Sequence, residues 1–162
     1  MPEADLHLHT TASDGADPPA AVCRRAHAAG MRAIAITDHD SVEGIPEAFE
    51  EGAHLGLEVL AGCELTAYLD EREIHILGYG FDPADVELLH HLQTFRDARR
   101  RRTEEMVARL DQAGATIDLR RVLDLTEGGS VGRVHVARAL LEAGHVSTFQ
   151  EAFTRFLVPG RP

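Results

Sequence analysis

Short apolar segments with strand character alternate with helical segments through the first eighty residues, and this order restricts the possible folds more than any other feature. The strand-like segments cover residues 4–10, 31–37, 57–65 and 73–80, and the helical segments cover residues 18–29 and 45–55. Asp17 is a candidate cap for the first helix, and Gly30 and Gly56 stand where the two helices should end. Because strands that alternate with helices pair in parallel, we predict an α/β fold with a parallel sheet.

The second half contains no alternating, β-branched stretch, so we predict that it is helical. Helices are expected over residues 84–113 (with a bend near Thr94), 119–125, 134–143 and 148–157. Asp82 and Asp118 are candidate caps for the first two of these helices. Ser147 and Gln150 have the spacing of a capping box for the last one.

The chain has 162 residues, enough for one domain with a core and a small insert. We expect an α/β part over residues 1–82 and a small all-helical insert domain over residues 83–162. No apolar run approaches the roughly 18 to 20 residues of a membrane span, and the first residues lack the pattern of a signal peptide. Two cysteines, Cys23 and Cys63, are too few for a disulfide framework, which favours a reducing, cytoplasmic location.

The formal net charge of −11 argues against broad electrostatic binding to nucleic acid, which needs a basic surface. A phosphorylated small molecule remains compatible with this charge, because bound divalent cations reverse the sign of the local field.

Residues with metal-binding side chains stand at or near the predicted strand ends: His7, His9, Asp14, His39, Glu64 and His75. His7 and His9 are one residue apart on a strand, so both side chains point to the same face. Taken alone, that spacing also fits a pair of surface histidines. In parallel α/β folds, however, sites assemble at the carboxyl ends of the strands. Imidazole combined with carboxylate suits zinc, manganese or iron.

Four motifs contain these residues: Asp5-Leu6-His7-Leu8-His9-Thr10 with Ser13-Asp14-Gly15, Thr37-Asp38-His39-Asp40, Gly62-Cys63-Glu64, and His75-Ile76-Leu77-Gly78-Tyr79. In order and spacing they resemble the opening motifs of the PHP family, the polymerase-and-histidinol-phosphatase group of metal-dependent phosphoesterases. Residues 132–138 and 151–153 resemble the helical insert of one subgroup. That subgroup contains nucleoside 3′,5′-bisphosphate phosphatases and 5′→3′ exoribonucleases that act on short RNA.

The resemblance implies a distorted (βα)7 barrel, present here in part, that holds up to three divalent ions, often manganese. It assigns His7, His9 and Glu64 to one ion, Glu64 and His75 to a second, and Asp14 and His39 to a third. Metal-activated water would be the nucleophile, so no side chain is expected to attack the phosphorus. Asp38 and Asp40 also match family positions and are expected to orient His39 from behind.

The chain departs from the family pattern in its late ligands. The family completes its site with a late histidine in a Leu-Ala-His-Pro-like segment and with a late Asp-x-His pair, and neither occurs in the sequence after His75. We therefore expect a truncated phosphoesterase with about half of the barrel strands. Because parallel sheets need both faces covered, the fragment should expose apolar surface through which copies could self-associate.

Three further residues are candidates for substrate contact: Arg99, Arg133 and His135. Guanidinium groups bind phosphate through two parallel hydrogen bonds, although most of the run 99–102 also fits a solvated helix face. The leading hypothesis is hydrolysis of a 3′,5′-bisphosphonucleoside or of a 5′-phosphorylated short RNA. The alternatives are histidinol-phosphate hydrolysis, a non-catalytic metal-binding fragment, and a module that a partner completes.

Overall fold

Four strands form one curved sheet in the computed structural model of the chain, which describes residues 3–70 and 72–158. The strands are β1 (Ala4–Leu8), β2 (Ala33–Ile36), β3 (Glu58–Leu69) and β4 (Arg72–Tyr79), and they pair in that order. β1, β2 and β3 are parallel, as predicted, whereas β4 is antiparallel to β3. The prediction of a parallel sheet is therefore wrong for β4, because the short turn around Asp70 leaves no room for the crossover that parallel strands require.

The sheet is strongly curved, as a hydrogen bond between its two outer strands indicates. The Tyr79 hydroxyl on β4 donates to the Leu6 carbonyl of β1 at 2.7 Å. In a flat sheet these strands would lie about 14 Å apart, three interstrand spacings, which is farther than a tyrosine side chain extends. A curved mixed sheet flanked by helices is consistent with part of the barrel that the resemblance implies.

Helices α1 (Pro19–Ala28) and α2 (Ile45–Leu55) connect the parallel strands and pack against each other and the sheet. The first hydrophobic core lies between them and the sheet, around Cys23, Ile34, Ile36, Ile45, Ala48 and Cys63. α2 ends at Gly56 in the left-handed conformation, as its position predicted. Asp17 does not cap α1, contrary to prediction; its carboxylate accepts a hydrogen bond from Arg25 instead.

The second half is helical: α3 (Val86–Gln112), α4 (Leu119–Asp124), α5 (Arg133–Glu142) and α6 (Phe149–Ala152), followed by a π-helical turn (Phe153–Leu157). Asp118 caps α4 as predicted, by accepting from the Arg120 amide. The other two predicted caps are wrong. Asp85, not Asp82, caps α3, and the last helix is capped by Thr148 with Glu151 rather than by Ser147 with Gln150.

A second hydrophobic core fills the helical half, around Val107, Leu110, Val122, Val136, Leu140 and Leu157. α3 contributes to both cores, because Leu92 in its first half packs with the α/β core and Leu110 packs with the helical one. The division into two domains between residues 82 and 83 remains a prediction. The outer limits of those domains, residues 1 and 162, lie outside the described residues.

Large apolar side chains remain exposed on β4, where Ile74 and Ile76 are 39% and 51% exposed. Leu6 on β1 and Leu69 at the end of β3 are also exposed. Within residues 3–70 and 72–158, no helix has both the length and the apolar character needed to cross a bilayer.

Candidate metal centre

The Glu64 carboxylate is the hub of a cluster formed by all six predicted ligand residues. Its Oε2 lies 2.8 Å from His7 Nε2 and 2.9 Å from His9 Nε2. Its Oε1 lies 2.6 Å from His75 Nδ1. Glu64 is buried, so one carboxylate with little access to water faces three imidazole rings.

Asp14 forms the opposite side of the cluster. Its Oδ1 lies 3.0 Å from His9 Nδ1, and its Oδ2 lies 3.7 Å from His39 Nε2. His39 Nδ1 in turn lies 3.7 Å from Glu64 Oε2. His9 and His39 therefore stand between the two carboxylates, with one ring nitrogen toward each.

The parallel strands bring these residues together. His7 and His9 follow the two-residue period of β1, and the segment after β2 continues beside β3 through a bridge between His39 and Glu64. In that bridge the Asp40 amide donates to the Glu64 carbonyl, and the Glu64 amide donates to the Asp38 carbonyl. Asp14 is held near β1 by a tight turn, in which a Cβ at Gly15 would lie 2.5 Å from the His9 carbonyl.

The potential donor atoms form three overlapping groups, each within 4.8 Å: His7 with His9 and Glu64, His9 with Asp14 and His39, and His39 with Glu64 and His75. The first group has the composition that the resemblance assigns to one ion. The other two each contain one histidine more than the resemblance assigns, His9 beside Asp14 and His39 beside Glu64.

The cluster fits a transition-metal ion by two criteria. Imidazole nitrogens and carboxylate oxygens together are the donor set of zinc, manganese and iron sites. In addition, His39 Nδ1 is buried, and among the described residues it has no hydrogen-bond partner. A buried polar atom without a partner is unfavourable, and coordination of a cation would satisfy it.

The charges of the cluster favour the ionised carboxylates. Burial alone would raise the pKa of Asp14, but the hydrogen bond from His9 and the charges that His39 and His9 carry when protonated outweigh it and lower the pKa to about 2. Burial would also raise the pKa of Glu64. Hydrogen bonding to His7 and the charge of protonated His39 outweigh burial, and the pKa of Glu64 is lowered. Both side chains therefore present negative oxygens at neutral pH.

The histidines differ from one another in protonation. Burial and then the charge of Arg99 lower the pKa of His39 to about 4, so this ring is neutral and can ligate. Burial also disfavours the charged form of His9, but the hydrogen bond and charge of Asp14 outweigh it and raise its pKa.

Asp38 and Asp40 are completely buried, yet within residues 3–70 and 72–158 neither carboxylate hydrogen-bonds to the His39 ring. Asp38 accepts from the Thr10 amide, the Thr10 hydroxyl and the Ser13 hydroxyl. Asp40 accepts from the Thr66 amide and hydroxyl. The carboxylates thus hold the segments that carry His9, Asp14 and His39, and a direct action on the His39 ring has no support from the contacts.

The three predicted substrate contacts have different surroundings. Arg99 is buried and donates to Asp40 Oδ2 and Thr66 Oγ1. His135 is also buried, and its Nδ1 accepts a hydrogen bond from the Gly132 amide. Arg133 is exposed, and its nearest acidic atom is Glu73 Oε1 at 3.9 Å. Of the three, Arg133 has the geometry of a group free to meet a ligand.

A cavity of about 270 Å³ opens beside the cluster, between β4, α3 and α5. Asp14, His39 and His75 of the cluster line it, together with the arginines 99, 102, 109 and 133 and with Phe153 and Phe156. The chain is acidic overall, so this concentration of guanidinium groups next to the cluster is a local reversal of charge.

The sequence interpretation missed two polar residues at this cavity, Glu73 and Arg102. Glu73 Oε1 lies 2.9 Å from His75 Nε2, and Glu73 Oε2 accepts from Arg102 at 2.7 Å. Glu73 therefore orients the ring whose other nitrogen faces Glu64, as carboxylates behind metal-binding histidines do. The two-residue spacing from Glu73 to His75 on one strand was the available signal.

Comparison with known proteins gives consistent results. The sequence profile of the PHP domain matches residues 5–157. A 5′-3′ exoribonuclease of Haemophilus influenzae is 36% identical over 157 residues, which are 97% of this chain and 57% of that protein. A 3′,5′-nucleoside bisphosphate phosphatase of Chromobacterium violaceum is 34% identical over 163 residues, which are 100% of this chain and 57% of that protein.

A solved structure is similar over nearly the whole chain. It is an amidohydrolase from Chromobacterium violaceum with bound sulfate and no metal; the TM-score is 0.92 at 34% identity, covering 99% of this chain and 57% of that one. The chain thus spans a little more than half the length of the relatives it matches.

Proposed function

Because this chain belongs to the PHP domain family, we propose that it carries one part of a metal-dependent phosphoesterase, a hydrolase acting on phosphate esters of nucleotides. The observation that carries the proposal is the convergence of His7, His9, Asp14, His39, Glu64 and His75 into three overlapping donor groups. Their donor chemistry suits up to three divalent ions. Manganese is the ion we favour, with zinc and iron as the alternatives.

The roles of this chain's residues follow from their positions. Glu64 belongs to two donor groups and would hold two cations close together, whereas Asp14 belongs to one group and would hold a cation on the side of the cavity. Divalent cations at such a site lower the pKa of bound water and neutralise charge that develops on phosphate oxygens. Glu73 keeps the His75 ring in place, and the buried Asp38 and Asp40 hold the strand-end segments at their spacing.

The substrate class is proposed from the cavity. Arg133 and Arg102 line it next to Asp14 and His39, so a phosphate group can be bound there while an ester lies at the donor cluster. We propose a 3′,5′-bisphosphonucleoside or the 5′-phosphorylated end of a short RNA, in line with the names of the two relatives. The proposed setting is the cytoplasm.

The second candidate function is a metal-binding module that another polypeptide, or a second copy, completes. One observation favours it: Ile74 and Ile76 are exposed on β4, so this strand offers apolar surface to a second polypeptide. Both functions share the metal centre and differ in whether this chain alone releases phosphate.

Equilibrium dialysis against Mn²⁺, followed by elemental analysis, tests the centre. The unaltered chain should retain manganese, His9→Ala should retain less, and His54→Ala, which removes an exposed histidine of α2, should match the unaltered chain. If all three retain none, the metal centre is refuted.

Phosphate release separates the two functions. The chain with Mn²⁺ is incubated with a 3′,5′-bisphosphonucleoside and with 5′-phosphorylated RNA, and inorganic phosphate and shortened RNA are measured. Turnover that His9→Ala abolishes supports the hydrolase. Retained manganese without turnover supports the completed module.

A further inference from the structure

Arg99 lies inside the protein, at the meeting point of four segments. Its side chain is 6% exposed, and that of its partner Asp40 is 0% exposed. Arg99 Nε donates to Asp40 Oδ2 at 2.5 Å, and one terminal nitrogen donates to Thr66 Oγ1 at 2.7 Å. The other terminal nitrogen lies 3.5 Å from the Val131 carbonyl. All three nitrogens of the guanidinium thus face protein acceptors.

Asp40 follows His39 directly, and its own backbone is in an uncommon conformation. Its φ of 49° is in the left-handed region, which non-glycine residues adopt only when the surroundings hold them there. The Asp40 carboxylate is fixed by the Thr66 amide at 2.8 Å and by the Thr66 hydroxyl at 2.6 Å. The direction of the chain at His39 therefore depends on the contacts of Asp40.

Thr66 stands two residues after Glu64 on β3, on the same face of the strand. Arg99 thus hydrogen-bonds both to Asp40, which follows His39, and to Thr66, which is close to Glu64. His39 and Glu64 belong to overlapping donor groups. Because Arg99 is on α3, it also connects these two segments to the helical half.

We propose, on the basis of the metal centre proposed above, that Arg99 is a positioning residue, which holds His39 and Glu64 at ligating distance through Asp40 and Thr66 and does not bind substrate. Without Arg99, a fully buried carboxylate would lose its counter-charge, which proteins tolerate poorly. Asp40 would then turn toward water, and the segment at His39 would shift with it. Sub-ångström errors in ligand positions weaken metal sites, as the loss of residues behind ligands typically costs 10- to 100-fold in affinity.

The test compares two arginines one residue apart on α3. Arg99→Met removes the buried guanidinium, and Arg100→Met removes one whose side chain is 62% exposed and pairs with Glu104. Mn²⁺ affinity is measured by calorimetric titration, and folding by circular dichroism and thermal melting. We expect Arg99→Met to bind Mn²⁺ at least tenfold more weakly, and Arg100→Met to stay within twofold of the unaltered chain.

Three more variants separate positioning from general destabilisation: Asp40→Asn alone, Asp40→Asn combined with Arg99→Met, and Arg99→Lys. Asp40→Asn combined with Arg99→Met removes both charges of this buried pair, so the double variant should fold even if Arg99→Met alone does not. Because Arg99 acts through Asp40, the double variant should lose no more Mn²⁺ affinity than the worse of the two single changes. Arg99→Lys keeps the charge but not the fork of donors, so it should recover part of the lost affinity.

Three results would overturn the inference. One is unchanged Mn²⁺ affinity in a folded Arg99→Met chain; another is strictly additive losses in the double variant; the third is an equal loss in Arg100→Met. A chain that binds no Mn²⁺ before any change refutes the metal centre itself, and the positioning role with it, whereas the first three results refute the positioning role alone.

Discussion

Replacement of Glu64 by glutamine keeps the size of the side chain and removes its charge from the centre of the cluster. Glu64 belongs to two of the three donor groups, and its oxygens lie 2.6, 2.8 and 2.9 Å from ring nitrogens of His75, His7 and His9. The group formed by His9, Asp14 and His39 does not contain it. Glu64→Gln should therefore disable two sites and leave one.

The size of the effect follows from the loss of a direct ligand. Removal of residues behind a ligand already costs 10- to 100-fold in metal affinity, so loss of the carboxylate itself should cost at least about 100-fold at each of the two sites. That factor corresponds to about 2.7 kcal/mol of binding free energy per ion. The bound manganese should accordingly fall to about one third of that in the unaltered chain.

Equilibrium dialysis over a range of Mn²⁺ concentrations, with elemental analysis, measures both number and affinity. Glu58→Gln is the matched control, because Glu58 begins the same strand, is exposed, and makes the same change in net charge. Equal manganese content in Glu64→Gln and Glu58→Gln would refute Glu64 as the shared ligand. Complete loss of manganese would show that Asp14, His9 and His39 hold no ion without it.

Three other outcomes are expected. Manganese affinity should rise with pH and level off only above the pKa of His9, because below that pKa the ion must displace a proton. Burial lowers this pKa, but the hydrogen bond and charge of Asp14 outweigh burial and raise the pKa above 6.5. Equal affinities in titrations at pH 5.5 and 7.5 would contradict this prediction. Glu73→Gln should weaken Mn²⁺ binding at the group containing His75 by about 10- to 100-fold, because the His75 ring loses its charged acceptor. Calorimetric titration measures this loss, with Glu105→Gln on the exposed face of α3 as the control. Asp85→Ala should lower the free energy of unfolding in urea by about 1 kcal/mol, since it removes the side-chain acceptor for the Leu88 amide, whereas an equal loss in Asp82→Ala would argue against the cap assignment.

The convergence of the six candidate side chains was easier to predict from the sequence than the details around them. The period of β1 places His7 and His9 on one face, and the parallel order of the first three strands brings His39 and Glu64 together, so both follow from chain periodicity and topology. The strand direction of β4 was missed, although the short connection at Asp70 indicates a reversal.

Helix caps and arginine roles were harder to predict, because they depend on small differences. Asp82 and Asp85 are three residues apart, and the backbone conformation at Asp85 decides between them. Arg99 and Arg102 lie on nearby positions of one helix, and the sequence does not specify which of them the fold buries. Their partners, Asp40 and Glu73, are 59 and 29 residues away along the chain, so only the tertiary structure pairs them.

The shared helix α3 has a consequence for attempts to divide this protein. At about 1.5 Å per residue its 27 residues extend about 40 Å, a single rod embedded at one end among strands and at the other among helices. If the chain were cut at the predicted border, between residues 82 and 83, the first part would lack Leu92, and a cavity would remain in the core beside the sheet. The first eighty-odd residues supply every proposed ligand, and we expect them to be less stable when they are separated from α3.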